Sequence, residues 1–488
     1  MLFNSATFLG FFILLLAVYY AVPHRFKWIV LLVASIFFYV CFTPIHILIL
    51  LCITAASYAV GRLVYRGAER EKKPKLWLAL GTVFCFSFLF IYKYLDFFIS
   101  SAYSLLDLFS IAHSESLTSL LLPVGISFFS FKAVSYMVDC YRGKTVEKNF
   151  FKYLLYVSFF PQIASGPIER STSLIPAFSE EHRFDTQNIQ EGLYLMLIGY
   201  FKKMVVADNI SAVVSKVFSD PQDYSPFILL FIACMYSIQI LCDFSGYSDI
   251  AIGCAKAFGI RTAKNFNHPY FSTSIATFWR NWHISLSSWF RDYLYIPLGG
   301  NRKGTFRKYL NLLIVFLVSG LWHGAAWNFV FWGLLHAAYQ IVGALTAPWR
   351  QKLCALTHLD KHDKLHTCFN VAVTFLLVTI AWIFFRSSSI TDGFHYIKCM
   401  FVSSSGTGGL SGIITSVKQV FNSKTTLFSF CAALASFVLY GWIDYKKDLY
   451  ALISRRHTVV KVIFYALSIL FIFLFASTSV TDFIYVRF

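Results

Sequence analysis

The chain is 488 residues long, 57% hydrophobic and only 14% charged, with 54 Phe and a formal net charge of +18. Its mean hydropathy of +0.62 lies far from that of a soluble domain, so the length is spent on membrane helices rather than on an aqueous core. Long apolar runs exclude a β-barrel, whose strands read as short alternating segments, and in such a chain the cations report topology rather than nucleic-acid binding.

Apolar runs fall near residues 5–22, 28–43, 45–61, 76–99, 118–138, 150–164, 188–206, 226–242, 246–260, 308–326, 328–345, 369–386, 427–443 and 459–480. They predict an all-α polytopic membrane protein, a single membrane domain over 1–488, with about 11 to 14 membrane helices including re-entrant segments. The first run lacks a basic leader and a small-residue cleavage site, so it reads as a retained span. Two breaks, Pro161 to Pro167 and Leu298-Gly299-Gly300-Asn301, fit re-entrant elements, because irregular backbone near a bilayer needs protein or a cavity over it. The 11 Cys are scattered with no CxxC pair, which indicates neither a zinc ribbon nor a disulfide framework.

Orientation follows the cations. Arg25 and Lys27 follow the first span; Arg62, Arg66, Arg70, Lys72, Lys73 and Lys75 follow the third; Thr43-Pro44 and residues 100–118 carry no Lys or Arg. The positive-inside rule predicts an extracytoplasmic N-terminus and a cytoplasmic 62–75 loop. Alternation then predicts a cytoplasmic 261–308 segment, where eight Lys and Arg face Asp292 alone. It puts His323 in the outer half, Arg487 outside, and Lys446, Lys447, Arg455 and Arg456 inside. The sequence shows no internal repeat, which weakens a secondary-transporter reading.

Residues 309–349 contain no Asp, Glu, Lys or Arg, which leaves His323 and His336 to titrate near neutral pH. An ionisable group at membrane depth is expensive unless it meets a cavity or a partner, and imidazole is suited to take a proton at neutral pH. His323, in Leu321-Trp322-His323-Gly324, is therefore a candidate base; the structural alternative is an interfacial His packed beside Trp322 and Trp327. Upstream, residues 278–293 mix Trp279, Trp282 and Trp289 with Arg280 and Arg291, as in a helix lying in the interface plane. That reading leaves Asp292 unexplained. It also leaves the Gly299-Gly300 turn closed by Arg302 and Lys303, which can contact phosphate. Asp243, Asp249 and Lys132 sit in or beside apolar runs. They line a polar path or, the preferred reading, pair within the protein, Lys132 with Asp139 or a helix carbonyl. His358, His362 and His366 recur every fourth residue, along one helix face. With no H-E-x-x-H carboxylate, and with Lys361 and Lys364 beside them, they predict a solvated cytoplasmic helix and no metal site.

Taken together, these motifs resemble the membrane-bound O-acyltransferases, and within them the bacterial alginate O-acetylase type. The resemblance rests on residues 278–302 followed by Trp322-His323-Gly324 and His336, and on Phe160-Pro161-Gln162 through Gly166-Pro167-Ile168-Glu169-Arg170. It also rests on Cys242-Asp243-Phe244-Ser245-Gly246-Tyr247-Ser248-Asp249 and on the terminal Phe483-Ile484-Tyr485. It spans most of the chain and is densest over 120–340. It implies helices ringed around a central conduit, with His323 as catalytic base and Asp292 orienting His323 or a polar substrate group. His283, His336, Trp322, Arg280 and Asn281 would line the conduit, with helix packing an equal alternative for His336 and an interfacial position one for His283.

The function implied is O-acetyl transfer, with no bound cofactor. Acetyl-CoA is the natural thioester donor, met from the cytoplasm by Arg291, Arg302 and Lys303, and an extracytoplasmic polysaccharide is the acceptor. The same resemblance implies an extracytoplasmic esterase-like acetyltransferase partner of the SGNH kind and a place in the bacterial inner membrane. No nucleic acid is expected as a partner. Two rival readings are a lipid or polymer-precursor transporter, which would tolerate loss of His323, and D-alanyl transfer to teichoic acids by a related branch. Ile296 to Arg302 and the long C-terminal region favour the acetylase branch.

Overall fold

The computed structural model describes residues 1–69, 74–111, 120–144, 146–358, 362–402, 410–421, 423–477 and 483. Arg70, Lys72 and Lys73 of the basic loop, Lys361, and Ile484, Tyr485 and Arg487 lie outside the described residues. Among those described, the regular structure is helical, with no strand. Among the described residues, eight helices are long and apolar enough to cross a membrane: Pro44–Gly67, Pro74–Leu108, Pro226–Ala257, Gly304–His323, Trp327–Leu345, Asp363–Arg386, Lys424–Lys446 and Thr458–Phe475. Shorter helices such as Ala6–Ala21, His24–Val40, Ile126–Tyr141 and Phe150–Ser158 add to them. Thr458–Phe475 buries none of its side chains, and an apolar helix of that kind is stable only in an apolar solvent.

Contacts group the chain into two compact units, one of residues 1–196 and 250–263, the other of 197–249 and 264–488. In the first, Ile126–Tyr141 is buried on nearly every face although it carries Ser127, Ser130, Lys132, Ser135 and Asp139. Burial obliges these groups to pair inside the protein. Lys132 donates to the Tyr156 carbonyl at 3.0 Å and to Gln162 Oε1 at 2.9 Å, and Asp139 pairs with Lys144 at 3.5 Å. The helix carbonyl, not Asp139, is thus the partner of Lys132. The Pro161 to Pro167 break is the end of a single helical turn, Phe160–Ile163, followed by irregular backbone, and protein covers all of it, as a re-entrant element requires.

The second unit holds the residues of the candidate site. Apolar runs 226–242 and 246–260, read separately from sequence, form one 32-residue helix, Pro226–Ala257. Asp243 interrupts the hydropathy but not the backbone, because it finds Lys203 at 2.7 Å. One predicted crossing disappears, so the cytoplasmic placement of 261–308 rests on its cations rather than on counting alternate spans. The expected single interfacial helix over 278–293 is two short helices, Ile275–Asn281 and Ile284–Phe290. They break at His283, whose φ of +44° is left-handed. A π-helical turn, Arg291–Tyr295, follows.

Gly304–His323 and Trp327–Leu345 form a tight antiparallel pair. A β-carbon at Gly320 would overlap the Phe329 carbonyl, and one at Gly333 would overlap the Phe316 carbonyl. Gly324 ends the first helix where any β-carbon would strike the Phe329 ring. The chain turns through Ala325-Ala326 and re-enters helix at Trp327, fixing His323 as the last helical residue. Gly320→Val or Gly333→Val is expected to force this pair apart and destabilise the protein by about 1–3 kcal/mol. Gly343→Ala, on the same second helix with no atom within 4 Å, is expected to leave stability unchanged or raise it. Thermal unfolding of purified protein in detergent micelles checks both.

Candidate active site

Three of the histidines singled out in the sequence are buried together in the second unit, interleaved with indole rings. His323 lies edge-on between Trp322 and Trp332, each at a centroid distance of 4.9 Å, with Phe385 at 5.5 Å. Trp322 also faces His283 at 5.8 Å, and Trp332 faces His336 at 4.9 Å. The series therefore runs His283, Trp322, His323, Trp332, His336. His323 is 1% exposed and the other two are 0% exposed. Edge-to-face ring contacts of this kind fix side-chain orientation as well as burying area.

His336 belongs to the wall of this site. Its Nδ1 accepts a hydrogen bond from Trp279 Nε1 at 3.2 Å, so the ring hydrogen is on Nε2. Phe278, Phe316 and Trp382 surround it. Trp279, Trp332, Trp382 and Phe385 carry the packing, although composition singled out just the first. In a chain with 11 Trp and 54 Phe, no local pattern marks the few rings that will converge.

His283 is held differently. The segment after the Pro226–Ala257 helix returns along 281–285: Asn267 N–H donates to the Asn281 carbonyl at 3.0 Å, and Ile284 N–H to the Asn265 carbonyl at 2.9 Å. The Asn265 side chain meets His283 Nδ1 at 3.1 Å, Ser285 Oγ at 2.9 Å and Ser285 N at 3.3 Å, and donates to Ser248 Oγ at 3.1 Å. Phe244 covers the imidazole face-to-edge at 4.6 Å. Sequence reading missed Asn265; its one signal was a short polar stretch, Lys264, Asn265 and Asn267 around Phe266.

The remaining predicted residues range from the core to the surface. Trp322 is buried beside both His283 and His323. Asn281 is half-buried and donates to Ser272 Oγ at 3.2 Å, while Arg280 is exposed. Asp292 is 30% exposed and pairs with its neighbour Arg291 at 2.8 Å. Arg302 and Lys303 are exposed beyond the Gly299-Gly300 turn, both of whose glycines have positive φ. Asp249 pairs with Lys202 at 2.7 Å, and Lys203 bridges Asp243 at 2.7 Å and Asp208 at 2.9 Å. These acids are thus tied in ion pairs, as buried charges must be. Phe483 lies over Lys203 and against Tyr247.

The three clustered histidines of 358–366 do not share a helix face. His358 adopts φ +54° after one helix ends, His362 precedes the next, and His366 lies inside it. The left-handed turn breaks the four-residue period on which that geometry depended. Among the described residues, no group of three metal-ligating side chains forms.

The site is thus a set of imidazoles buried among aromatic rings in a helical membrane protein. The chain belongs to the membrane-bound O-acyltransferase family, whose model matches residues 31–390, and it is an O-acyltransferase. It is 36% identical to the probable alginate O-acetylase of Azotobacter vinelandii, over 82% of this chain and 78% of that one. It is 33% identical to the peptidoglycan O-acetyltransferase of Helicobacter pylori, over 84% and 79%. It is 30% identical to the teichoic acid D-alanyltransferase of Bacillus subtilis, over 47% and 60%.

Burial pushes the His283 imidazole down from 6.5 to about 3, so it is neutral at physiological pH. An unfolded His takes its proton near pH 6.5 while the folded ring does not, so the unfolded state binds more protons as pH falls from about 6.5 towards 3. Stability contributed by the neutral ring is present above that window and is lost across it. A His283→Gln variant is therefore expected to lose less thermal stability than the parent on acidification from neutral pH into that window. Melting of both proteins in lipid nanodiscs measures the difference.

Proposed function

We propose that this protein is an O-acetyltransferase that moves acetyl groups from a thioester donor, acetyl-CoA, to hydroxyls of an extracytoplasmic polysaccharide. The observation that carries this reading is His323: a buried imidazole ending a transmembrane helix, fixed between Trp322, Trp332 and Phe385. Support comes from chains named as polymer O-acetylases, which match over four-fifths of its length. The D-alanyltransferase match covers less than half of it.

In this reading His323 is the general base. As the acceptor oxygen bonds to the acyl carbon, its proton passes to the imidazole; the carbon–sulfur bond breaks, and the proton then reaches the leaving thiolate. The carbonyl end of the Gly304–His323 helix carries partial negative charge, which stabilises the imidazolium formed in the first step. Asp292 orients His323 or a polar group of substrate, and His283, His336, Trp322, Arg280 and Asn281 line the path. The exposed cations Arg291, Arg302 and Lys303 suit the phosphates of the donor, with their segment in the cytoplasm. The protein would sit in the bacterial inner membrane with its N-terminus outside, and would work with an esterase-like extracytoplasmic partner that completes transfer.

Replacing a general base removes about 10²- to 10⁴-fold of rate. His323→Ala is expected to abolish most ester-linked acetate on envelope and secreted glycans, measured by mass spectrometry after mild alkaline release. Unaltered acetate with normally inserted protein would overturn the assignment.

A further inference from the structure

The Asn265 side chain settles a question that ring positions alone leave open: which nitrogen of His283 carries the hydrogen. Ser285 N is a backbone amide and can do nothing but donate, so the Asn265 atom 3.3 Å from it is the carbonyl oxygen, Oδ1. The opposite end of the amide faces Ser248 Oγ at 3.1 Å, as an NH₂ group should. His283 Nδ1 lies 3.1 Å from that same Oδ1. An amide oxygen accepts and never donates, so Nδ1 must carry the hydrogen.

The neutral ring is then the Nδ1–H tautomer, with its lone pair on Nε2. All four partners are buried: Asn265 at 1%, Ser248 at 1%, Ser285 at 4% and His283 at 0% exposure. In such surroundings an exchange of tautomer would leave Nδ1 and Oδ1 facing each other as two acceptors, a buried mismatch that costs about 1–3 kcal/mol. The backbone is set apart as well. The left-handed region is uncommon for a non-glycine residue, although histidine visits it more readily than most, as His268 and His358 also do here. His283 has that conformation between two short helices.

We propose that Asn265 is a positioning residue: it holds His283 as the Nδ1–H tautomer so that Nε2 accepts the hydrogen of a hydroxyl on the acceptor substrate. Through Trp322, which touches both rings, His283 and His323 are held in one rigid wall. His283 orients the hydroxyl and His323 removes its proton; the assignment rests on the O-acetyl-transfer reading above. The ligand class selected is a hydrogen-bond donor. An acceptor position bearing a carbonyl or an ether in place of the hydroxyl would put two lone pairs together.

The test uses the full-length protein with Asn265→Leu and Asn265→Asp. Leucine has similar volume and no acceptor. Aspartate keeps an oxygen for Nδ1–H, Ser285 N–H and Ser285 Oγ–H, while the Ser248 hydroxyl turns to donate to the other oxygen. Ester-linked acetate per inserted molecule is expected to fall about tenfold or more in Asn265→Leu, since a histidine of the wrong tautomer loses its function. Asn265→Asp should recover at least about threefold of that loss, because every donor to Oδ1 keeps its acceptor. In ¹⁵N-histidine spectra of the protein in lipid bilayers, the signals absent from His283→Gln should show a protonated Nδ1 and a bare Nε2, and Asn265→Leu should lose that pattern.

A protonated Nε2 in the parent protein overturns the proposal. So does an Asn265→Leu protein as active per molecule as the parent, or an equal fall in both variants, which would mark packing alone. The spectrum does not depend on turnover. If acetate is unchanged in His323→Ala while the tautomer signal is as stated, the O-acetyl reading fails and the tautomer assignment does not.

Discussion

The helices Gly304–His323 and Trp327–Leu345 approach each other until neither Gly320 nor Gly333 has room for a β-carbon. The places of His323 and His336 depend on that approach. It brings Trp332 against His323 and places His336 one turn further along, where Trp279 can donate to it. In a membrane, helices gain little from burying apolar surface against one another, since lipid is as apolar as leucine; close backbone contact through small residues supplies dispersion energy instead. The same glycines that hold the pair together thus set the spacing of the imidazoles.

A second constraint follows from the low dielectric. Every polar group taken from water must find its partner inside the protein. Lys132 does so with a carbonyl and Gln162, Lys202 with Asp249, and Lys203 with Asp243 and Asp208. Both Lys202 and Lys203 lie in a π-helical segment, Phe201–Ala207, and Asp292 lies in another, Arg291–Tyr295. The wider turn breaks the ordinary i→i−4 ladder and re-aims side chains that a regular helix would present elsewhere, which is why such segments recur at functional positions. The charges of Lys132, Lys202, Lys203, Asp208, Asp243 and Asp249 are thus accounted for as structural pairs.

Much of the architecture was legible beforehand because membrane solvation writes itself into composition. The spans near 308–326 and 328–345, the covered break at Pro161 to Pro167, and the internal pairing of Lys132 follow from hydropathy and from the expense of unpaired charge. Other readings failed where a tertiary partner overrode a local signal. Asp243 seemed to divide two spans because hydropathy cannot register Lys203, 40 residues away in sequence. The interfacial helix over 278–293 is broken by a left-handed residue at His283, a backbone turn that composition does not signal. The histidines of 358–366 had helical spacing, but spacing means nothing across a turn.

By itself the sequence determined that the protein is helical and membrane-embedded, and that His323 is an ionisable side chain inside an apolar stretch. These are properties of single segments in a known solvent. The tertiary structure alone decided that His283, His323 and His336 share one aromatic wall, and that Asn265 dictates which nitrogen of His283 carries its hydrogen. Both depend on atoms from distant segments meeting within about 3 to 6 Å, and periodicity carries no information on the distance between segments. A tautomer, above all, is set by the neighbour that accepts the bond, and that neighbour is chosen by the fold.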